Sequence, residues 1–221
     1  MTKQRIFITG GTGYMGTRLI AILLQRGHEV TALARQGSVQ KLPPGCVSII
    51  GNALDKNSYA ESISPADAFV HLVGVSHPNP SKAEQFRAID LVSVQNSVPA
   101  AVAAGIKHFV YVSVAHPAPI MQAYWQVRAE CEALIRASGL NATILRPWYV
   151  LGPGHWWPYM LVPMYWLFER LPSTRDTAQR LGLVTLKQML HVLAGAIENP
   201  SQGIRILEVE QIRHANLIMA K

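Results

Sequence analysis

The chain has 221 residues, enough for one α/β unit with its own core and too few for two full domains. Apolar residues make up 49% and charged residues 15%, which excludes a disordered chain. The formal charge is +7, but Lys and Arg are scattered without any run, so no nucleic-acid partner is expected and the excess suits a phosphate-rich ligand.

Short apolar runs alternate with longer helical patterns, which signals βαβ units and a parallel sheet. Ile6–Thr9 reads as the first strand. Tyr14–Arg26 reads as a helix with Leu19, Ile20, Leu23 and Leu24 on one face and Gly27 as its stop. Strands follow over Glu29–Ala34, Val47–Ile50 and Ala68–Val73, the last an apolar run expected to be buried on both faces. A helix over 82–104 ends at Gly105, a strand covers Phe109–Val114, a helix covers Gln122–Ala137, and a sixth strand, Ala142–Leu145, is stopped by Arg146-Pro147. Beyond it, 148–172 is rich in Trp, Tyr, Met and Pro, 186–198 reads as a helix and 203–209 as a last strand. The expected fold is α/β, a doubly wound parallel sheet over 1–155, with 156–221 as a small C-terminal cap or substrate lobe of the same globular unit.

Cys46 and Cys131 lie far apart with no metal-like spacing. Neither a disulfide framework nor a metal site is expected, and the compartment is read as reducing and cytoplasmic. Residues 5–16 read as strand and turn, not as a secretory signal. The most apolar stretch, Trp156–Leu171, carries two prolines plus Glu169 and Arg170, so a spanning helix is not expected.

The strongest signal is Ile6-Phe7-Ile8-Thr9-Gly10-Gly11-Thr12-Gly13-Tyr14-Met15-Gly16, with glycines at 10, 13 and 16 between a strand and a helix. Gly10 permits a sharp exit from the strand, Gly13 lets a pyrophosphate approach the backbone, and Gly16 lets the helix pack close to the sheet. The unpaired N–H groups of the first helical turn then face an anion. That context implies a bound dinucleotide, held by Gly10, Gly11, Thr12, Gly13, Tyr14, Met15 and Gly16.

This G-x-x-G-x-x-G spacing resembles the short-chain dehydrogenase/reductase superfamily in its extended and atypical branches, over about residues 5–155. The resemblance implies a Rossmann-type fold and a nicotinamide cofactor. Family members that use NAD carry an acid at the end of the second strand; here Arg35 stands there, which favours the 2′-phosphate of NADP(H) over NAD(H). Lys41 or Gln36 would add to that pocket. Asn52 matches the family's position near the adenine, and reads equally as a turn residue. The resemblance places Leu72, Val73 and Gly74 along the middle of the cofactor. His71 reads as a core residue more readily than as a catalyst.

The family's proton chemistry uses a strand-end Ser and a Tyr-x-x-x-Lys helix. Ser113 matches the first, and Tyr124 and Arg128 match the second at i, i+4, with Arg in place of Lys. Arg keeps the charge but cannot shuttle a proton at neutral pH. The alternative reading makes Tyr124 a helix-surface aromatic, Arg128 a partner for Glu132, and Ser113 a strand-end cap. Arg146-Pro147 to Gly152-Pro153-Gly154 resembles the family's R-P-x-x-x-x-G-P segment, which implies that Pro147, Tyr149 and Val150 pass the nicotinamide. Cofactor-binding relatives without catalysis share that segment, among them the nucleotide-binding accessory subunit of respiratory complex I and NmrA-like redox sensors. The aromatic stretch Trp156, Trp157, Tyr159, Met160, Tyr165, Trp166 and Phe168 reads as core closed under a cap, as a wall for a flat apolar substrate such as a quinone or lipid, or as a homodimer or membrane-surface patch over 156–168. Three activities follow from the resemblance: an NADP(H)-dependent reductase or dehydrogenase of a small apolar carbonyl or quinone-like substrate, a non-catalytic NADP(H) sensor or assembly factor, and an epimerase or isomerase that reduces its cofactor transiently.

Overall fold

A computed structural model of the chain describes residues 2–154, 160–168, 170–171 and 175–218. Seven strands form one parallel sheet: β1 Arg5–Thr9, β2 Glu29–Ala34, β3 Val47–Ile50, β4 Ala68–His71, β5 His108–Val112, β6 Ala142–Leu145 and, last in the chain, β9 Ile204–Leu207. Their order is β3-β2-β1-β4-β5-β6-β9, so the chain reverses direction across the sheet between β1 and β4. Ile6 pairs with Val30 on one side and Ala68 on the other, and Leu145 pairs with Leu207 at the far end. Two short strands, β7 Tyr149–Leu151 and β8 Leu183–Thr185, form a separate parallel pair.

The helices are α1 Tyr14–Gln25, α2 Ala83–Gln85, α3 Val92–Ala103, α4 Gln122–Ala137, α5 Val162–Phe168, α6 Arg175–Arg180, α7 Leu186–Glu198 and α8 Val209–Ile218. Strand alternation sorts the core into two layers. Ile6, Ile8, Val70 and Val110 meet α1 and α7 on one face. Phe7, Phe69 and Phe109 meet α3 and α4 on the other, with ring centroids 5.3 and 5.1 Å apart along the row. Each such ring, fully buried, contributes about 1.5–3 kcal/mol.

Two expectations change. The helix expected over 82–104 is interrupted by a π-helical turn at Phe86–Leu91, which separates α2 from α3. The residues expected as a cap over 156–221 divide: β9 extends the main sheet and α7 packs on α1, while α5 and α6 lie outside the sheet. A strong start explains α7, since Thr185 accepts from Gln188 N–H while the Gln188 side chain accepts from Thr185 N–H. No described helix is long and apolar enough to cross a membrane.

Candidate functional site

Local backbone chemistry builds one end of the site. Gly10 leaves β1 at φ +77°, and a Cβ there would lie 2.7 Å from the Leu72 carbonyl carbon. Only glycine meets both demands without strain. A Cβ on Gly16 would strike the Gly10 carbonyl oxygen and Gly11, so its role is to seat α1 against the turn itself. Gly13 is the N-cap of α1; no side chain caps the helix, and no acid occupies its first turn. The N-terminal amides and the positive end of the dipole are therefore presented to an anion. A Cβ on Gly13 would meet Gly10 O at 3.2 Å and otherwise open space, which fits close approach of a diphosphate.

That space is a cleft of about 460 Å³ over the crossover between β1 and β4, where open α/β sheets take their ligands. Gly10, Thr12 and Gly13 line its end at the glycine turn. Arg35 and Asn52 line the side beyond β2 and β3, and Leu72, Val73 and Gly74 its floor. Arg35 is exposed, and its guanidinium meets no partner among the described residues. The Asn52 side-chain oxygen accepts from Leu54 N–H at 3.1 Å, so it closes a turn while it lines the cleft. Gly11, Tyr14, Met15 and Gly16 shape the turn behind this lining; Pro147, Tyr149 and Val150 stand apart from it, the last two paired in β7 with β8.

Lys82 and Gln85 also line the cleft, and sequence reasoning missed both. Lys82 Nζ donates to the Ser76 and His77 carbonyls at 2.7 and 3.2 Å. The cue was present: Asn79 caps the turn begun by Pro80, accepting from Ser81 N–H. A larger cavity, about 640 Å³, lies between α1 and α7. Ile22, Leu151, Leu186 and Leu190 line it, it touches α1 only at its C-terminal half, and no residue of the glycine turn lines it, so the smaller cleft is the candidate site.

Ser113, Tyr124 and Arg128 are not among the residues that line the cleft; they belong to a side-chain cluster behind its floor, and most of its polar groups are already engaged. The Arg128 guanidinium is buried. It forms an ion pair with Asp90 at 2.6 Å and donates to the Tyr111 hydroxyl at 3.2 Å and the Val112 carbonyl at 2.9 Å. It lies directly beneath Gly74, where any Cβ would strike it. Asp90 sits in the π-helical turn and accepts from Val75 N–H at 3.0 Å, so the pair fixes the cleft floor from below. Burial pushes the Asp90 carboxyl up, with Arg128 pulling it back. Arg128 stays well above its ordinary value despite burial, because Tyr111, Tyr124 and Asp90 surround it.

Tyr124 stands half-buried at the start of α4. Its ring packs on Phe86 at 4.9 Å, with the Arg128 guanidinium 5.3 Å from its centroid. Burial raises its pKa and outweighs the pull of Arg128. Ser113 is buried and donates to Glu132 at 2.6 Å. The pairing of Arg128 with Glu132, one of the sequence alternatives, does not form. Glu132 instead takes Arg146 and, at 2.8 Å, Arg136, with His116 at 3.2 Å; against the effect of burial, hydrogen bonds from His116, Arg146 and Ser113 hold its carboxyl far below the usual range. His71 is a core residue, bonded to Thr9 Oγ1 at 2.9 Å and Ser93 Oγ at 3.1 Å; burial first, then Arg128, lowers its pKa to about 3. Among the described residues no cluster of His, Cys, Asp or Glu could hold a metal. Trp156, Trp157 and Tyr159 lie outside the described residues.

Comparison with known proteins agrees with this geometry. A family model described as NAD(P)H-binding matches residues 10–153. A 3-beta-hydroxysteroid dehydrogenase of Mycolicibacterium neoaurum is 27% identical over 115 residues, 49% of this chain and 31% of that protein. A 4-hydroxy-2-methyl-3-oxo-4-farnesyl-3,4-dihydroquinoline-1-oxide ketoreductase of Stigmatella aurantiaca is 27% identical over 171 residues, 67% of this chain and 51% of that protein. The match thus spans about a third to about half of the length of these relatives. Among solved structures, the Bordetella bronchiseptica enzyme WbmH in complex with NAD+ superposes with a TM-score of 0.70 at 21% identity, covering 99% of this chain and 82% of that one.

Proposed function

The chain belongs to the NAD(P)H-binding family, and from that membership we propose that it is an NADP(H)-dependent oxidoreductase acting on an apolar carbonyl or quinone-like substrate. The observation that carries the cofactor half of this reading is the uncapped α1 terminus facing the same cleft as the Arg35 guanidinium, which meets no partner among the described residues. A diphosphate would meet the uncapped amides at the α1 N-terminus, past Gly13, whose own N–H donates to Gly10 O, and a 2′-phosphate would meet a guanidinium able to donate two parallel hydrogen bonds. The bound nicotinamide would supply or accept the hydride. Similar proteins named for a steroid and for a farnesylated quinoline support an apolar substrate.

The chain's own part in the chemistry is proton transfer at the Tyr124 hydroxyl. Its raised pKa keeps the phenol protonated through the neutral range, which suits donation to a carbonyl oxygen as hydride reaches the carbon. Arg128 cannot shuttle a proton; tied to Asp90 and Val112, it fixes the floor and lends positive charge beside the phenol. The same observation favours a second reading, a cofactor-binding sensor without turnover, because Ser113 and Arg128 are both committed to internal partners.

The test is NADPH oxidation by purified protein with steroid ketones, aliphatic ketones and quinones. Tyr124→Phe is expected to lower turnover by about 100-fold or more and to leave NADPH affinity unchanged. Unchanged turnover would remove Tyr124 from proton transfer. An inert wild-type protein that still binds NADPH would favour the sensor.

A further inference from the structure

The larger cavity, about 640 Å³ between α1 and α7, has no part in the site described above. Its size falls within the roughly 300–1,000 Å³ of small-molecule sites. Ile22 of α1, Leu186 and Leu190 one turn apart on α7, and Leu151 at the end of β7 make much of its wall apolar. Leu186 and Leu190 also belong to the core beneath, and Ile22 packs against it, so this wall is held by close packing. A Cβ on Gly152, which lines one end, would strike the Tyr14 hydroxyl; glycine lets that end close against the first turn of α1.

Among the described residues, the charged side chains on the lining are basic and none is acidic. Arg26 is neutralised by Glu198 at 2.7 Å, a carboxylate that also reaches His28. Lys187 is exposed and meets no partner among the described residues. His191 stands one turn on from Lys187, so the two form a row beside the row of Leu186 and Leu190. The His191 Nε2 is shielded from water and meets no hydrogen-bond partner among the described residues. Buried polar atoms are nearly always paired, so here the protein leaves a polar demand that it does not itself meet.

An apolar wall with a basic edge suits an aliphatic chain that ends in an anion. The chain displaces water from the leucines, and the lysine stem lies along it while the ammonium meets the head. One unpaired ammonium suits a single negative charge. No Phe, Tyr or Trp lines the cavity among the described residues, so a nucleobase finds no ring to stack on. We propose that this cavity is a second binding site, for a medium- or long-chain carboxylate. It takes the C-terminal half of α1, whereas the candidate cofactor cleft meets the same helix at its N-cap, Gly13. The proposal does not rest on the function proposed above.

The experiment is calorimetry of the full chain with decanoate, with and without millimolar NADPH. Saturable decanoate binding is expected, unchanged by NADPH, with affinity falling about fourfold for each methylene removed between decanoate and hexanoate. Decyltrimethylammonium, with the same chain and the opposite charge, is expected not to bind. Lys187→Glu is expected to weaken decanoate about fivefold and to leave 1-decanol unchanged. Ile22→Trp, which fills the cavity, is expected to remove both. Lys187→Glu alters only an exposed side chain and carries the test by itself if Ile22→Trp fails to fold. Absence of decanoate binding, an affinity independent of chain length, or undiminished binding by either folded variant would overturn the site. Displacement of decanoate by NADPH would assign the probe to the cofactor cleft and overturn it equally. NADPH affinity of the wild-type chain, read in the same series, reports on the cofactor reading separately.

Discussion

The glycine turn and the cluster around Arg128 are made of different material. The glycine turn is backbone: Gly10, Gly13 and Gly16 clear the way, and uncapped amides of α1 face the cleft. The cluster proposed for proton transfer is side chain, and nearly every polar group there has an internal partner, Arg128 with Asp90 and Ser113 with Glu132. The first is poised for a ligand and the second is braced within the protein. One region can therefore lose its function without losing the fold, whereas the other cannot be altered without cost to the fold.

The sharpest break in that contrast comes from the braced cluster. Asp90→Ala leaves the buried Arg128 charge without its carboxylate, which is expected to cost about 3–5 kcal/mol of stability, read as a lower denaturant midpoint. A midpoint within error of wild type would show that the pair braces nothing. The glycine turn is expected to behave oppositely. Gly13 has an ordinary backbone angle of −83°, and a valine side chain there would project into the phosphate space. Gly13→Val is expected to lower dinucleotide affinity about 100-fold, close to 2.8 kcal/mol, with little change in thermal midpoint. Loss of both together would erase the distinction between the two.

The smallest effect concerns the strands beneath both. Burial lowers His71 to about 3 and His108 to about 4. Above the unfolded value near 6.5 both states are neutral and stability is at its full value. Below it the unfolded chain takes up protons that the folded one refuses, so stability falls as pH drops toward those folded values. One unit below the unfolded value, each histidine is expected to cost about 1.4 kcal/mol. Urea unfolding at neutral and mildly acidic pH checks this; a pH-independent midpoint would contradict the buried, neutral state of both rings.

The glycine turn was legible in the sequence because it follows from glycine spacing and strand period, which are local. The strand boundaries expected for β2, β3 and β6 coincide with those observed. A last strand was expected over 203–209, but its place in the sheet was not legible, because edge pairing is non-local: nothing in Ile204–Leu207 announces that it lies beside Ala142–Leu145. β7, β8, α5 and α6 are too short to carry a period, and α8 went unread. The braced cluster was legible only in its residue types. Spacing suggested Arg128 with Glu132, but α4 turns Glu132 toward Arg136, one turn on, and Arg146 at the end of β6. Asp90 gave one cue, a lone acid within Ala88-Ile89-Asp90-Leu91-Val92, and the π-helical turn that aims it at Arg128 has no signature in sequence.

The central claim is that the glycine turn and Arg35 hold a phosphorylated nicotinamide dinucleotide, and calorimetry of the purified chain tests it most directly. The account predicts saturable NADPH binding, tighter than NADH, with Arg35→Asp lowering NADPH affinity about tenfold, or 1.4 kcal/mol, and leaving NADH unchanged. Absence of binding by either dinucleotide at millimolar concentration would contradict it.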